Sequence, residues 1–455
     1  MRKSSGIPGK IGLWAFLSRE VAFRVLFVLT LMPSIVWTTG HFKPQATNKA
    51  HTSSSIPIQH IVFIVKENHS FDNYFGRFLG AHGTTTGEVK IKGVDQTIAL
   101  TPLVDQSPDY CHVWKCAISD YDNGAMDHFN ATGACSTAPY TCYQAATQDQ
   151  IPNYWTYASN YVLSDETYAP MFGPTFPNRL FTIAAASGDT IDTSAIGLPR
   201  GPNNTNPQGW GCDSLAGSTV LLYNKSKVFP CFDFSTLGDL MDNAGLSWKY
   251  YGPRKGEGGY IWSAYDAINH IRNGPDWSQH VVPWQNFVQD AQSGNLPAFS
   301  WVVPPEGYSE HPSNSICVGE NWTVQQINAV MQGSDWATTA IFLSYDEWGG
   351  FYDHEAPVSI DPLGYGFRVP MTIISPYAHV TGNASNPHIT HTLYEASSVI
   401  RFAEEVFNLP SLGKRDAVVN DMMDAFDFSQ VWNAPDILST RNCGSVQPAT
   451  MDDEE

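Results

Sequence analysis

Short runs of consecutive apolar residues punctuate the chain, separated by longer stretches of mixed polarity. The runs at 61–65, 181–186, 299–303, 340–344 and 371–375 are each too short and too continuously apolar for an amphipathic helix, and turn-forming residues bound most of them. That is the pattern of strands buried on both faces, as in a parallel sheet. Helical patterns lie between and beyond them. In STLGDLMDNAG (235–245), Ser235 is placed to cap the start and Gly245 the end. ASSVIRFAEEVFNL (396–409) puts Val399, Phe402, Val406 and Leu409 on one face. Strands alternating with helices predict an α/β layered domain, whose ligands bind beyond the carboxyl ends of the strands.

Composition supports this reading and narrows it. The chain has 455 residues, 42% of them hydrophobic, which is ample for a large core and far from a disordered composition. A net charge of -19 argues against nonspecific binding to nucleic acid or to anionic membranes. At the N-terminus, Arg2, Lys3, Lys10, Arg19 and Arg24 precede the apolar stretch VLFVLTLMPSIVW (25–37). This predicts a signal peptide or an N-terminal membrane anchor over 1–40, hence an exported protein, periplasmic or secreted. A polar linker (41–55), one catalytic domain (56–445) and an acidic tail (446–455) would follow. The eight cysteines all lie beyond residue 110, and in an exported chain they predict disulfides. Cys111/Cys116, Cys135/Cys142 and Cys212/Cys231 are the natural local pairs. No C-x-x-C is present to suggest a thiolate zinc site.

Two of the apolar runs end alike. IVFIV leads into Lys66, Glu67, Asn68 and His69, and AIFLSY leads into Asp346 and Glu347. One reading is a pair of solvated turns. The other is a site: adjacent acids at a strand end resist burial unless a cation neutralises them. Three carboxylates and an amide oxygen make an oxygen-rich set suited to a divalent metal. A third element, YAPMFGPTFPNRLFTIAAASG (168–188), places Thr175 just before Pro177 at the start of a helical turn. Thr175 is there either as an N-cap or as a nucleophile held where a helix N-terminus receives an anion. His112, His311, His354 and His391 sit in Gly, Pro and polar surroundings. His311 follows the run 299–303 and its Pro-Pro stop, where it could serve as a general acid or a phosphate ligand.

Taken in order, HIVFIVKENHSFDNYFG, PNRLFTIAAASG, FSWVVPPEGYSEHPS, FLSYDEWGGFYDH and PMTIISPYA resemble the phosphoesterase family of bacterial phospholipases C, acid phosphatases and plant non-specific phospholipases C. The resemblance runs from about residue 57 to 412. It implies an alkaline-phosphatase-like, three-layer α/β/α sandwich with a mostly parallel central sheet. By the same resemblance Glu67, Asn68, Asp346 and Glu347 would be metal ligands and Thr175 the nucleophile. His112 and His311 would bind phosphoryl oxygens or protonate the leaving alcohol. Trp348 and His128 depart from residues common in relatives, and neither departure removes a proposed ligand.

The expected activity is therefore metal-dependent phosphoester hydrolysis. Phospholipase C action on phosphatidylcholine-type lipids is the first reading. Acid phosphatase action on phosphomonoesters and non-catalytic exported binding are the alternatives. The expected cofactor is a divalent ion (Ca, Mg, Mn, Zn or Fe). The expected partner is a phospholipid or small phosphate ester, with peripheral contact to lipid surfaces and no nucleic acid. Trp210, Trp262, Trp322 and Trp348 are among the aromatics that could admit lipid if exposed.

Overall fold

A computed structural model describes residues 56–131, 133–193, 210–381, 385–430 and 433–446. The expected signal or anchor, the linker and almost all of the acidic tail lie outside the described residues. Eight strands form the central sheet: β1 (His60–Lys66), β2 (Val162–Ser164), β3 (Trp248–Gly252), β4 (Val281–Pro283), β5 (Phe299–Val302), β6 (Thr339–Tyr345), β7 (Met371–Ile374) and β8 (His388–Thr390). Their order is β4-β3-β5-β1-β6-β7-β2-β8. Every neighbouring pair is parallel except those made by β7, which runs against both β6 and β2. The run 371–375 is thus a strand but not a parallel one. An apolar run buried on both faces carries no mark of its direction.

Five helices matter for the site and its support: α1 (Phe71–Phe75), α2 (Thr175–Ala184), α3 (Leu237–Ala244), α4 (Ile316–Gln332) and α5 (Ala396–Phe407). Helices cover both faces of the sheet. Phe342 of β6 packs on Phe402 of α5, ring centroids 5.1 Å apart. Tyr345, three residues on and so on the opposite face, sits beside Lys66 of β1, whose ammonium lies over Trp322 of α4. The result is the expected three-layer α/β/α arrangement.

The run 181–186 corrects the sequence reading, because residues 181–184 close α2 and Ala185 is its left-handed C-cap, so it is not a strand. Every residue of α2 is buried, so the polar stripe that marks a surface helix is missing and the periodicity is silent. In the 235–245 segment Thr236, not Ser235, is the N-cap. Its hydroxyl accepts from Asp239 N in a capping box, and Gly245 closes the helix at φ 68°.

The three local cysteine pairs form, and a fourth disulfide, Cys317–Cys443, joins the start of α4 to the C-terminal segment. Trp210, Trp262, Trp322 and Trp348 are all buried, so none of them offers a surface to lipid. Among the described residues no helix is long and apolar enough to cross a membrane.

Candidate active site at the carboxyl ends of two central strands

β1 and β6 are neighbours in parallel register, with Lys66 opposite Tyr345. Pairing continues one step further, since Asp346 N donates to Lys66 O at 3.2 Å. Glu67 and Asp346 therefore emerge side by side just past the sheet, with Asn68 and Glu347 next to them. Asn68 turns the chain at φ 58° and Gly349 does so at φ 66°. A Cβ at Gly349 would lie 2.2 Å from Asn68 O, so only glycine lets the two turns interlock. All four candidate metal ligands are buried. The solvated-turn reading fails here.

Helix α2 brings in Thr175. The N-cap position belongs to Pro174, so Thr175 does not cap the helix. Its hydroxyl donates to Glu67 Oε2 at 3.2 Å instead. One turn later, Arg179 reaches the end of β1, donating to Val65 O and Lys66 O at 3.2 Å each. The same guanidinium pairs with Glu67 Oε1 and lies 3.5 Å from Asp346 Oδ2. Trp301 Nε1 of β5 donates to Thr182 O at 2.9 Å and holds the helix on the sheet.

Burial pushes the Glu67, Asp346 and Glu347 carboxyls upward, and the neighbouring Asp346 charge adds to the rise at Glu67 and Glu347. One buried guanidinium, Arg179, contacts Glu67 and Asp346, and Glu347 adds a third carboxyl beside them, which leaves an excess of negative charge when all three ionise. Asn68 Oδ1, Asp346 Oδ2 and Glu347 Oε1 are buried without a hydrogen-bond partner. Orphaned acceptors of this kind are costly in a folded interior unless a cation takes them up. The donor set is all oxygen and fits a divalent ion.

His112 and His311 meet at the rim, ring centroids 5.7 Å apart. His112 Nδ1 lies 2.7 Å from Tyr110 O and 3.4 Å from Asp109 Oδ1. His311 Nδ1 lies 2.9 Å from Pro312 O. With Nδ1–H donating in each ring, both Nε2 atoms are left as acceptors. Burial pulls His112 downward, against the raising effect of Asp109, and the neighbouring His311 adds to the fall. Both rings lie close enough to Asp346 to favour its charged form, against the larger effect of burial.

A buried network fixes the loop carrying His311. Lys66 Nζ pairs with Glu310 Oε1 at 2.9 Å. Tyr74, Tyr154 and Tyr345 hydroxyls donate to the same carboxylate at 2.7, 2.5 and 2.6 Å. Glu67 N also donates to Ser309 O at 3.1 Å.

Sequence reasoning singled out neither Arg179, Asp109 nor the Lys66–Glu310 pair. The signal for Arg179 was its place one helical turn after Thr175. Asp109 and Glu310 carry no local signal.

Residues 58–410 match the Phosphoesterase family. The chain is 27% identical over 433 residues to phospholipase C A of Mycobacterium tuberculosis, covering 82% of this chain and 78% of that protein. It is 26% identical to the hemolytic phospholipase C of Pseudomonas aeruginosa, covering 84% of this chain and 58% of that protein. Among solved structures, a protein in the alkaline phosphatase superfamily from Vibrio parahaemolyticus aligns at TM-score 0.35 and 12% identity, covering 80% and 69% of the two chains. The family match spans most of the sequence, and this chain belongs to the phosphoesterase family. It is a hydrolase acting on phosphoric ester bonds.

Proposed function

We propose that this chain is an exported, metal-dependent phospholipase C. It would cleave phosphatidylcholine-type lipids into diacylglycerol and a phosphorylated head group. Its catalytic domain would span 56–445, behind an export signal or anchor (1–40) and a linker (41–55). The observation that carries the reading is the Thr175 hydroxyl, at the start of a buried helix and hydrogen-bonded to Glu67 Oε2. The phospholipase names of its relatives favour a lipid substrate.

In the proposed mechanism Glu67 orients the Thr175 hydroxyl and accepts its proton as Oγ1 attacks phosphorus. The bond from phosphorus to the glycerol oxygen breaks. The free Nε2 of the His112–His311 pair takes up one proton from solvent before the reaction and passes it to the diacylglycerol alkoxide as that leaves. Water then attacks the threonine phosphodiester, its proton passing to the same pair; the bond from phosphorus to Oγ1 breaks, Glu67 returns its proton to Oγ1, and the phosphorylated head group leaves with Thr175 restored. The N-terminal N–H groups of α2 hold the phosphoryl oxygens. Glu67, Asn68, Asp346 and Glu347 would hold the divalent ion, which when bound neutralises charge on the phosphoryl group and lowers the pKa of the attacking hydroxyl.

Purified protein should hydrolyse phosphatidylcholine faster than p-nitrophenyl phosphate, lose activity in EDTA and regain it with a divalent ion. A preference for p-nitrophenyl phosphate would select the acid phosphatase reading. Activity that persists unchanged in EDTA would overturn metal dependence.

A further inference from the structure

Sharing no residue with that site, the loop after α1 and the loop after β6 meet at His82, His354 and Glu355. Both imidazole Nε2 atoms face one carboxylate oxygen. Glu355 Oε2 lies 3.7 Å from His82 Nε2 and 3.8 Å from His354 Nε2. These separations are too long for hydrogen bonds. Around a tetrahedral zinc with bonds of about 2.0–2.1 Å, ligand atoms sit roughly 3.4 Å apart. The two separations to Glu355 Oε2 are therefore a few tenths of an ångström from those of a coordination shell, and all three donors lie within 4.8 Å of one another.

The opposite ring nitrogens are already engaged. His354 Nδ1 donates to Asp72 Oδ2 at 2.6 Å, and His82 Nδ1 donates to Glu166 Oε1 at 3.0 Å. A carboxylate on Nδ1 fixes the tautomer and orients the Nε2 lone pair, as it does for metal-bound histidines. The backbone is pinned as well. His82 N donates to Asp165 Oδ2 at 2.7 Å and His82 O accepts from Arg368 Nη1 at 2.7 Å. His354 N donates to Asp72 Oδ2 at 2.7 Å and Glu355 N donates to Asp353 Oδ1 at 3.0 Å. Asp72, Asp165, Asp353 and Arg368 are fully buried, so the anchors are rigid. The His82 side chain is 52% exposed, which leaves a solvent-facing position open.

We propose that His82, His354 and Glu355 bind one zinc-class divalent transition-metal ion, with water in the remaining position. The ion ties the loop after α1 to the loop after β6; α1 follows β1 and Glu67, and Asp346 follows β6. Two imidazoles and a carboxylate select zinc, nickel or copper over calcium and magnesium, in contrast to the all-oxygen set of the candidate active site.

The test is a Co²⁺ and Zn²⁺ titration of the full chain after EDTA stripping, read by visible absorption and calorimetry. Wild type should take up an equivalent with the intense absorption of a low-coordinate, nitrogen-bound Co²⁺. Asp346→Asn should keep that signal, because it lies in the other site. His82→Ala and Glu355→Gln should each lose it, while their metal-free melting temperatures match wild type. Glu166→Gln, which leaves all three ligands in place, should weaken binding by about 10–100-fold. Zinc should raise the melting temperature of wild type but not of His82→Ala. The proposal is overturned if wild type, His82→Ala and Glu355→Gln bind the same number of equivalents with the same Kd, or if the Co²⁺ signal disappears in Asp346→Asn alone.

Discussion

Replacing Lys66 with methionine tests the buried network that supports the His311 loop. Lys66 and Glu310 are both fully buried, with Nζ 2.9 Å from Oε1. Removing one partner of such a pair leaves an uncompensated charge and costs roughly 3–5 kcal/mol. Here the Glu310 carboxylate keeps three tyrosine donors, which places the cost near the low end, about 3 kcal/mol. The described residues from 56 to 446 belong to one compact unit. At ~2 cal/mol/K per residue, a unit of that size loses about 4 °C of melting temperature for that cost. Lys66→Met/Glu310→Gln removes the stranded charge as well and should recover most of the loss. Tryptophan fluorescence melts in EDTA, with disulfides intact, measure both variants. A Lys66→Met shift under about 1 °C, or a double variant as unstable as the single, would refute the reasoning.

Three further outcomes follow from named contacts. Cys317→Ser/Cys443→Ser opens a link across a sequence separation of 126 and should cost about 5 kcal/mol on the chain-entropy account, whereas opening Cys111–Cys116, separation 5, should cost about 2 kcal/mol; denaturant midpoints compare the two. Gly349→Ala should depress phosphoesterase turnover more than stability, because its Cβ collides with Asn68 O and displaces a candidate ligand; kinetics and melts on one preparation separate the effects. Burial and the adjacent Asp416 raise the Glu404 carboxyl to about 8, above its usual 4.5, so the folded state holds a proton that the unfolded state has lost. That contribution is complete below pH 4.5 and fades as pH rises through about 8, so wild-type melting temperatures should fall more steeply over this window than those of Glu404→Gln.

The ends of β1 and β6 were legible because an apolar run that stops at a charged pair marks both the strand and the edge where ligands bind. The register that sets Glu67 beside Asp346 was not legible, since strand pairing is a long-range choice. The 181–186 segment misled because a helix buried on all sides has no polar stripe, and short apolar runs of either type look alike. Thr175 was visible as a residue at a helix start. Its escape from the capping role depends on Glu67, which only the fold brings within reach. The same holds for Glu310 and for the meeting of His82 with His354 and Glu355. Each residue is ordinary in its own stretch and becomes informative through partners far along the chain.

The most direct measurement of the central claim is acid quenching of the enzyme during phosphatidylcholine turnover, followed by peptide mass analysis of the 168–188 region. The account predicts a phosphorylated head group bound covalently to Thr175. It also predicts that Thr175→Ala carries no adduct and loses activity on the order of 10³-fold or more. A Thr175→Ala enzyme that keeps activity within about tenfold of wild type would contradict it.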